Sequence, residues 1–163
     1  GAIGGSAGGH LTAMMAVTDA SDQLDPEQPY GSYSCRIQAV VPMYGVHDLP
    51  TQAEQKGNVL SEADLQLCRQ ASPVTWITQD DPPVLILHGT MDALVPVEQS
   101  TILHERLQAA HVSSKLIVIE GAPHSFHLQP KQRDLRAEVI GFFNQHLLGQ
   151  RQVLPGSVDS SSH

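Results

Sequence analysis

Hydrophobic residues occur in this chain as short continuous runs between longer polar stretches. Three runs, at residues 37–44, 84–88 and 116–119, have the length of a strand and are rich in valine, isoleucine and leucine. A continuous apolar run is typical of a strand that is buried on both faces, because a half-exposed strand alternates apolar and polar residues. The pattern therefore predicts three strands of a covered sheet, with Pro42 limiting hydrogen bonding near the end of the first.

Helices are predicted between and after these strands. Residues 11–17 are apolar on all sides, which favours a short buried helix. A second helix is expected to begin at Pro96. Its apolar face would be made by Ile102, Leu103, Leu107 and Ala110. The last helix is predicted over residues 131–148, with Gly149 as its stop.

Two long polar stretches separate the elements. Residues 19–34 are rich in Asp, Ser, Gln, Pro and Gly and are predicted to form a loop. Residues 46–79 show no sustained period, apart from one short helix near residues 61–69, where Ser61 and Asp64 fit an N-terminal cap pair. Such a stretch either shapes a pocket or forms a surface excursion without a ligand role, and both readings stay open.

Alternation of strands and helices predicts the fold class. Strand, helix, strand, helix is typical of α/β proteins, in which a parallel sheet is flanked by helices on both faces. We expect residues 1–149 to form one catalytic domain and residues 150–163 to be a disordered polar tail. In such sheets functional side chains collect at the carboxyl ends of the strands.

Composition narrows the classes of partner. The 163 residues carry a net charge of -8 and no basic run, which argues against a nucleic-acid partner. No apolar run approaches the roughly 18 residues that a membrane span requires. The two cysteines, Cys35 and Cys68, lie outside any metal-binding motif and are expected to be thiols. A soluble protein is predicted, either cytoplasmic or secreted, because the chain begins without Met and an upstream targeting segment stays possible.

The pattern Gly-x-Ser-x-Gly at residues 4–8 is the main candidate for chemistry. In a sharp strand-to-helix turn the serine is held in strained geometry, and Gly4 and Gly8 would let strand and helix nearly touch. A flexible glycine-rich start or a phosphate-binding loop would have a similar sequence. No Lys-Ser/Thr pair follows, which argues against a nucleotide-binding loop. Whether Ser6 is a nucleophile therefore depends on the rest of the chain.

An acid and a histidine follow later strands in a fitting order. Asp92 comes after the strand that ends at His88, and His124 comes after the strand at residues 116–119. The order Ser, Asp, His, with Gly-x-Ser-x-Gly at the serine, is the order of α/β-hydrolases. We expect these three side chains to meet at the carboxyl edge of the sheet.

Other residues compete for these positions. Asp80 and Asp81 precede the strand and lie at its wrong end, and Glu120 shares a loop with the histidine, which leaves Asp92 as the acid at a fitting strand end. Two further histidines are not assigned to the site: His10 is expected to pack or to lie at the surface, and His88 to pack or to bond backbone.

Several stretches together resemble a known family. They are residues 4–11, 71–75, 80–96 and 121–126. The chain resembles the carboxyl-terminal half of an α/β-hydrolase of the esterase and lipase type, close to acetyl-esterase and feruloyl-esterase-like members. It is similar, more distantly, to the prolyl-oligopeptidase catalytic domain. The family's histidine position falls on His124 rather than on His127.

The resemblance implies a mechanism. Ser6 would attack an ester carbonyl, His124 would move the proton, Asp92 would hold the imidazole, and the amide of Ala7 would be one oxyanion donor. Neither a metal nor an organic cofactor is implied, and the substrate would be a small-molecule or carbohydrate-linked ester. A prolyl-oligopeptidase-type serine peptidase and a catalytically silent fragment are the alternatives.

One departure from the family pattern affects the scaffold. The His-Gly-Gly loop that supplies the second oxyanion donor is missing, and so are the amino-terminal strands, apart from residues 2–3. We therefore expect a partial α/β-hydrolase fold in which the strand at residues 37–44 has an unpaired edge.

Overall fold

The structure is a computed structural model that describes residues 1–19, 22, 24 and 33–148. Within these residues four strands form one parallel sheet in the order β1-β2-β3-β4. The strands are β1 Ala2–Gly5, β2 Val40–Met43, β3 Val84–Met91 and β4 Ser114–Pro123. The predicted α/β class with a parallel sheet is confirmed.

Five α-helices connect and cover the strands in the described part of the chain. They are α1 Ala7–Val17, α2 Leu49–Gln55, α3 Glu62–Gln70, α4 Glu98–Ala109 and α5 Arg136–Phe143. A 3-10 turn at Pro73–Thr75 follows α3, and α5 continues into a π-helical turn at Asn144–Leu148.

Each face of the sheet has its own hydrophobic core. On one face β2, β3 and β4 pack against α5, with Leu85, Leu87 and Val139 among the buried residues. On the other face the alternate residues of the strands pack against α1 and α4. Ile86 of β3, for example, lies in the same core cluster as Leu103 of α4. Because successive strand residues enter opposite cores, both must be apolar, which explains the continuous runs in the sequence.

The predicted unpaired edge at residues 37–44 is wrong. The short strand β1 pairs in parallel with β2, so β2 is a central strand and β1 is at the edge. Val40 and Tyr44 donate backbone hydrogen bonds to the β3 side, at 3.2 and 2.8 Å, and Pro42 between them has no N–H to donate. The proline therefore costs one hydrogen bond of the ladder while its side chain stays buried.

Several element boundaries differ from the predictions. The helix α2 falls in the stretch expected to be irregular; Asp48 caps it by accepting from the amide of Thr51, and Pro50 occupies its first turn. The last helix begins at Arg136 rather than at residue 131, because the Leu135 amide donates to the carbonyl of Leu128 and closes a turn instead.

Helix α1 is less buried than its apolar sequence suggests. Its inner face is buried at Ala13, Ala16 and Val17, but Leu11 and Met15 are 60% and 46% exposed. The prediction of a helix buried on all sides is therefore wrong for its outer face. Most of the predicted loop at residues 19–34, and the predicted tail at residues 150–163, lie outside the described residues.

Candidate active site

Ser6 occupies the turn between β1 and α1. Its backbone has φ 56° and ψ -121°, a strained conformation for a residue with a side chain. The Ser6 amide donates to the carbonyl of Met43 at 3.0 Å, and the Ser6 carbonyl accepts from the amide of His10 at 3.0 Å. Such strain costs on the order of 1–3 kcal/mol and persists only where the surrounding structure holds it. The strained geometry predicted for this serine is confirmed.

Two glycines allow this turn to form. A side chain on Gly4 would put its Cβ 2.4 Å from the carbonyl oxygen of Gly8, and one on Gly9 would put it 2.4 Å from that of Met43. A Cβ on Gly8, by contrast, would meet no described atom within 4 Å. The prediction is therefore right for Gly4 and wrong for Gly8: Gly9 is the second position where a side chain is excluded.

Asp92 follows β3, accepts three hydrogen bonds and lies in contact with a second histidine. Its Oδ1 accepts from the amides of Leu94 and Val95, each at 2.9 Å, and its Oδ2 lies 2.7 Å from His124 Nδ1 and 3.2 Å from His88 Nε2. Burial acts to raise the pKa of this carboxyl, but the hydrogen bonds from Val95, His124 and Leu94 outweigh it and lower the pKa below its usual value. Asp92 is therefore ionised at neutral pH although its side chain is only 1% exposed.

His124 joins the serine to the acid. Its Nε2 lies 2.9 Å from Ser6 Oγ, and its Nδ1 lies 2.7 Å from Asp92 Oδ2. Because a carboxylate only accepts, Nδ1 carries the proton and Nε2 is left to accept from the serine hydroxyl. A neutral imidazole of this tautomer is arranged to take the proton of Ser6.

Tyr44 packs against the imidazole ring of His124. Its ring meets the imidazole of His124 edge-on, with centroids 4.9 Å apart and planes at 66°. Its hydroxyl donates to the carbonyl of Phe126 at 3.0 Å, which ties the loop after β4 to the end of β2. Burial raises the pKa of Tyr44, and the charge of Asp92 adds to this, so the phenol stays protonated and keeps donating.

The structure thus brings Ser6, Asp92 and His124 together at the carboxyl edge of the sheet. Ala7, whose amide was expected to be an oxyanion donor, is the first residue of α1 and adjoins the serine. Helix N-terminal amides have no partner within the helix and favour negative charge.

The competing residues lie elsewhere. His127 is exposed and borders a shallow groove with Lys131 and Gln132. Asp81 accepts hydrogen bonds from Thr78 at the amino end of β3, Asp80 is exposed beside it, and Glu120 is exposed on β4.

An apolar cavity of about 310 Å³ opens beside the serine. Its walls are Ser6, Ala7, His10, Val46, Leu49 and Val95. His10, expected to pack or to lie at the surface, donates from Nδ1 to the carbonyl of Val46 at 2.8 Å and lines the cavity. The long irregular stretch therefore contributes to a pocket through residues 46 and 49.

The wall of this cavity is fixed by a buried glutamine that sequence reasoning missed. Gln99 is fully buried on α4, and its Oε1 accepts from the amides of His47 and Asp48 at 2.9 and 2.8 Å. Its Nε2 donates to the carbonyl of Asp48 at 3.1 Å. The three hydrogen bonds fasten the segment after β2 to α4. No local pattern marks Gln99, because its partners are about fifty residues away in the chain.

His88 is a second residue whose role the sequence left undetermined. It was expected to pack or to bond backbone, and its Nε2 does lie 2.9 Å from the carbonyl of Val95. The same nitrogen lies 3.2 Å from Asp92 Oδ2. The only signal in the sequence is the spacing of four residues between His88 and Asp92.

The described residues contain neither a cluster of metal-binding side chains nor a membrane-spanning helix. In the described ranges no group of three or more His, Cys, Asp or Glu side chains is arranged to hold a metal ion. No helix among the described residues is long and apolar enough to cross a membrane.

Comparison with known proteins confirms the predicted resemblance. The BD-FAE family model matches residues 1–107. The probable carboxylic ester hydrolase LipM of Mycobacterium tuberculosis is 35% identical over 136 residues, which are 76% of this chain and 31% of that protein. Esterase LipC of the same organism is 34% identical over 138 residues, which are 77% of this chain and 34% of its own length. The chain thus spans about a third of the curated relatives it matches.

Solved structures show the same fold. The butyrate-bound esterase Est2 of Thermogutta terrifontis has a TM-score of 0.67 and 27% identity, covering 88% of this chain and 54% of that one. A truncated carbohydrate esterase from gut microbiota has a TM-score of 0.70 at 24% identity, over 88% of this chain and 57% of its own. These neighbours are esterases of the α/β-hydrolase type, so the chain is a partial form of that fold.

Proposed function

This chain belongs to the BD-FAE family, and we propose that it carries the catalytic residues of a serine hydrolase that cleaves carboxylic esters through an acyl-enzyme on Ser6. The observation that carries the proposal is the continuous chain of hydrogen bonds from Ser6 Oγ through His124 to Asp92, at 2.9 and 2.7 Å. A serine alone is a weak nucleophile at neutral pH, and a base within hydrogen-bond reach activates it.

The reaction has two halves. In the first, Ser6 Oγ bonds to the ester carbonyl carbon while its proton passes to His124 Nε2, and the resulting imidazolium is stabilised by the ionised Asp92. The tetrahedral intermediate collapses, the bond to the alcohol oxygen breaks, and His124 gives its proton to the leaving alcohol. In the second half a water molecule gives a proton to His124 while its oxygen bonds to the acyl carbon. The bond from that carbon to Ser6 Oγ then breaks, His124 returns the proton to Ser6 Oγ, and the carboxylic acid is released.

The negative oxygen of the intermediate needs donors. The amide of Ala7 is our candidate, because it follows the nucleophile directly and begins α1.

The cavity beside Ser6 supports a short acyl group. Its volume of about 310 Å³ is at the lower end of the range for ligand sites, and its walls include Ala7, Leu49 and Val95. The Est2 neighbour is described with bound butyrate, a small aliphatic acid. We therefore expect short aliphatic esters, of a small alcohol or of a carbohydrate, to be substrates.

The small residue before the nucleophile favours an ester over a peptide substrate. A Cβ on Gly5 would lie 2.3 Å from the hydroxyl of Tyr44, so the bulky neighbour usual in prolyl-oligopeptidase-type enzymes has no room at this position. A relative named as an uncharacterized peptidase, YuxL of Bacillus subtilis, is 34% identical over 79 residues and keeps the alternative worth testing.

The test uses the full-length protein with p-nitrophenyl acetate and p-nitrophenyl butyrate. Turnover and fluorophosphonate labelling should be present in the wild type and lost in Ser6→Ala. Ser113→Ala, which alters an exposed serine before β4, is the matched control and should keep both. Unchanged turnover in Ser6→Ala would refute the proposal, cleavage of dipeptides without esters would favour the peptidase, and an unlabelled wild type would favour a silent fragment.

A further inference from the structure

His88 is fully buried at the end of β3 and makes three polar contacts. Its Nε2 lies 2.9 Å from the carbonyl oxygen of Val95 and 3.2 Å from Asp92 Oδ2. Its Nδ1 lies 2.7 Å from the hydroxyl oxygen of Ser100, which is buried on α4. The side chain of His88 is 0% exposed, so these contacts are not shared with bulk solvent.

The partners determine the protonation of the ring. Val95 and Asp92 present only acceptors to Nε2, so this nitrogen carries a proton, which it donates to the carbonyl of Val95 while lying in contact with the carboxylate of Asp92. Burial lowers the pKa of His88, which keeps the ring neutral, although the carbonyl of Val95 and the charge of Asp92 act in the opposite direction. Nδ1 is then an acceptor, and the hydroxyl of Ser100 donates to it.

One oxygen of Asp92 therefore faces two imidazole N–H groups, of which His124 makes the hydrogen bond and His88 a longer contact. His124 Nδ1 is 2.7 Å from Oδ2, and His88 Nε2 is 3.2 Å from the same atom. The second donor withdraws electron density from the oxygen that would stabilise the His124 imidazolium during the reaction. The amides of Leu94 and Val95 bond to Oδ1, so the position of Oδ2 depends on the two histidines.

We propose that His88 is a positioning residue of the ester hydrolysis, which orients Asp92 and limits the pull of that carboxylate on the His124 proton. This inference rests on the proposed function. His88 does not contact Ser6, and it acts only through Asp92. Ser100 supports it from α4 by selecting the tautomer in which Nε2 is the donor.

Other ionisable groups face this network. His47, from the segment after β2, has its pKa lowered first by burial and then by the nearby His10 and His88. Tyr44, at the end of β2, faces Asp92. Burial keeps His47 and Tyr44 uncharged at neutral pH, so among these groups Asp92 carries the charge and His124 is the group whose protonation changes during catalysis.

The test replaces the donor while preserving volume. His88→Met removes the Nε2 proton, and His88→Gln returns an amide donor close to the same position. For His88→Met we expect kcat/KM to fall about tenfold, the order expected from one hydrogen bond to a charged group. The acid limb of the pH–rate profile should move to higher pH, because the carboxylate stabilises the protonated imidazole more strongly without the second donor. The proton between His124 and Asp92 should move downfield in NMR spectra, and His88→Gln should restore both readouts.

His104→Met is the matched control. His104 Nδ1 lies 2.9 Å from the hydroxyl of Ser114, a histidine–serine pair of the same kind that has no contact with Asp92. His104→Met should leave both the acid limb of the pH–rate profile and the resonance of the His124–Asp92 proton unchanged. Ser100→Ala, which keeps both imidazoles, should shift the two readouts in the direction of His88→Met and by a smaller amount.

The outcomes separate this inference from the proposed function. The resonance does not require turnover, so a wild type inactive with every ester would refute the proposed function even if the resonance moved. An active enzyme whose folded His88→Met variant keeps the wild-type acid limb and resonance would refute only the role of His88. A His88→Gln variant no better than His88→Met in both readouts would also refute it.

Discussion

The hydroxyl of Tyr44 and the carbonyl of Phe126 are joined by a hydrogen bond of 3.0 Å across 82 positions of the chain. This bond links the end of β2 to the loop that carries His124. Tyr44 itself has a positive φ of 37°, which is unusual for an aromatic residue and directs the chain away after β2. The orientation of His124 therefore depends on a strand that supplies none of the three proposed catalytic residues.

Tyr44→Phe isolates this bond. The ring, and with it the edge-on contact to His124, is kept, while the buried carbonyl of Phe126 loses its donor. We expect a loss of about 1–2 kcal/mol in the free energy of unfolding and a several-fold fall in kcat, because the loop carrying His124 is less firmly held. Urea unfolding and steady-state kinetics measure the two effects. A variant with lower stability and unchanged kcat would show that the bond is structural only.

Gly4→Ala and Gly8→Ala form a matched pair within one turn. The first puts a methyl group 2.4 Å from the backbone oxygen of Gly8, and the second meets no described atom within 4 Å. We expect Gly4→Ala to cost about 3 kcal/mol or more and to abolish labelling of Ser6. Gly8→Ala should raise stability by about 0.5–1 kcal/mol, because alanine is the better helix former. Equal losses in both variants would contradict the geometry of the turn.

Asp92→Asn tests the tautomer of His124. An asparagine amide at Oδ2 would donate to Nδ1, which would leave a proton on Nε2 facing the Ser6 hydroxyl. We expect kcat to fall by roughly 10⁴-fold, the order that this change causes in a serine-protease triad. Asp64→Asn alters an exposed carboxylate at the start of α3 and should leave kcat unchanged. A loss of less than tenfold in Asp92→Asn would argue against the assigned role of Asp92.

Strands β2, β3 and β4 could be predicted because each leaves an apolar run in the sequence, whereas β1 leaves none. Residues 84–87 enter two cores alternately, which requires an unbroken apolar run, and strand β3 covers that run and extends to Met91. The boundary of α5 could not be predicted from such a pattern, because Leu135 before the helix is apolar and buried like Val139 within it. The helix begins only after residue 135 because the Leu135 amide bonds to the carbonyl of Leu128, and the spacing of apolar residues does not predict this contact.

The candidate site divides in the same way. Ser6, Asp92 and His124 could be identified because the order of motifs along the chain reflects the order of strand ends in the sheet. His88, Gln99 and Tyr44 could not, since each acts through partners that only folding brings near. Gly8 was misassigned for a related reason: the motif marks a close approach of backbones at residues 4 and 8, but it does not say which of the two would carry the clashing Cβ.

The buried side chain of His47 should make the stability of the fold depend on pH. It is fully buried, both ring nitrogens have no hydrogen-bond partner among the described residues, and burial, with His10 and His88 adding to it, lowers its pKa to about 3. In the unfolded chain a histidine has a pKa of about 6.5. Between these values the unfolded state binds a proton that the folded state does not, so the stability present above pH 6.5 is lost progressively as the pH falls toward 3.

His47→Met should remove this dependence. Methionine fills a similar volume without burying unpaired polar atoms, so the variant should unfold at a higher urea concentration than the wild type at pH 5 and show a smaller difference at pH 7.5. The measurement is urea unfolding at both pH values, with His111→Met as the control, since that histidine is exposed after α4. If the wild type and His47→Met lost equal stability between pH 7.5 and 5, His47 would have to be protonated in the folded state, and its ring nitrogens would need partners within the fold.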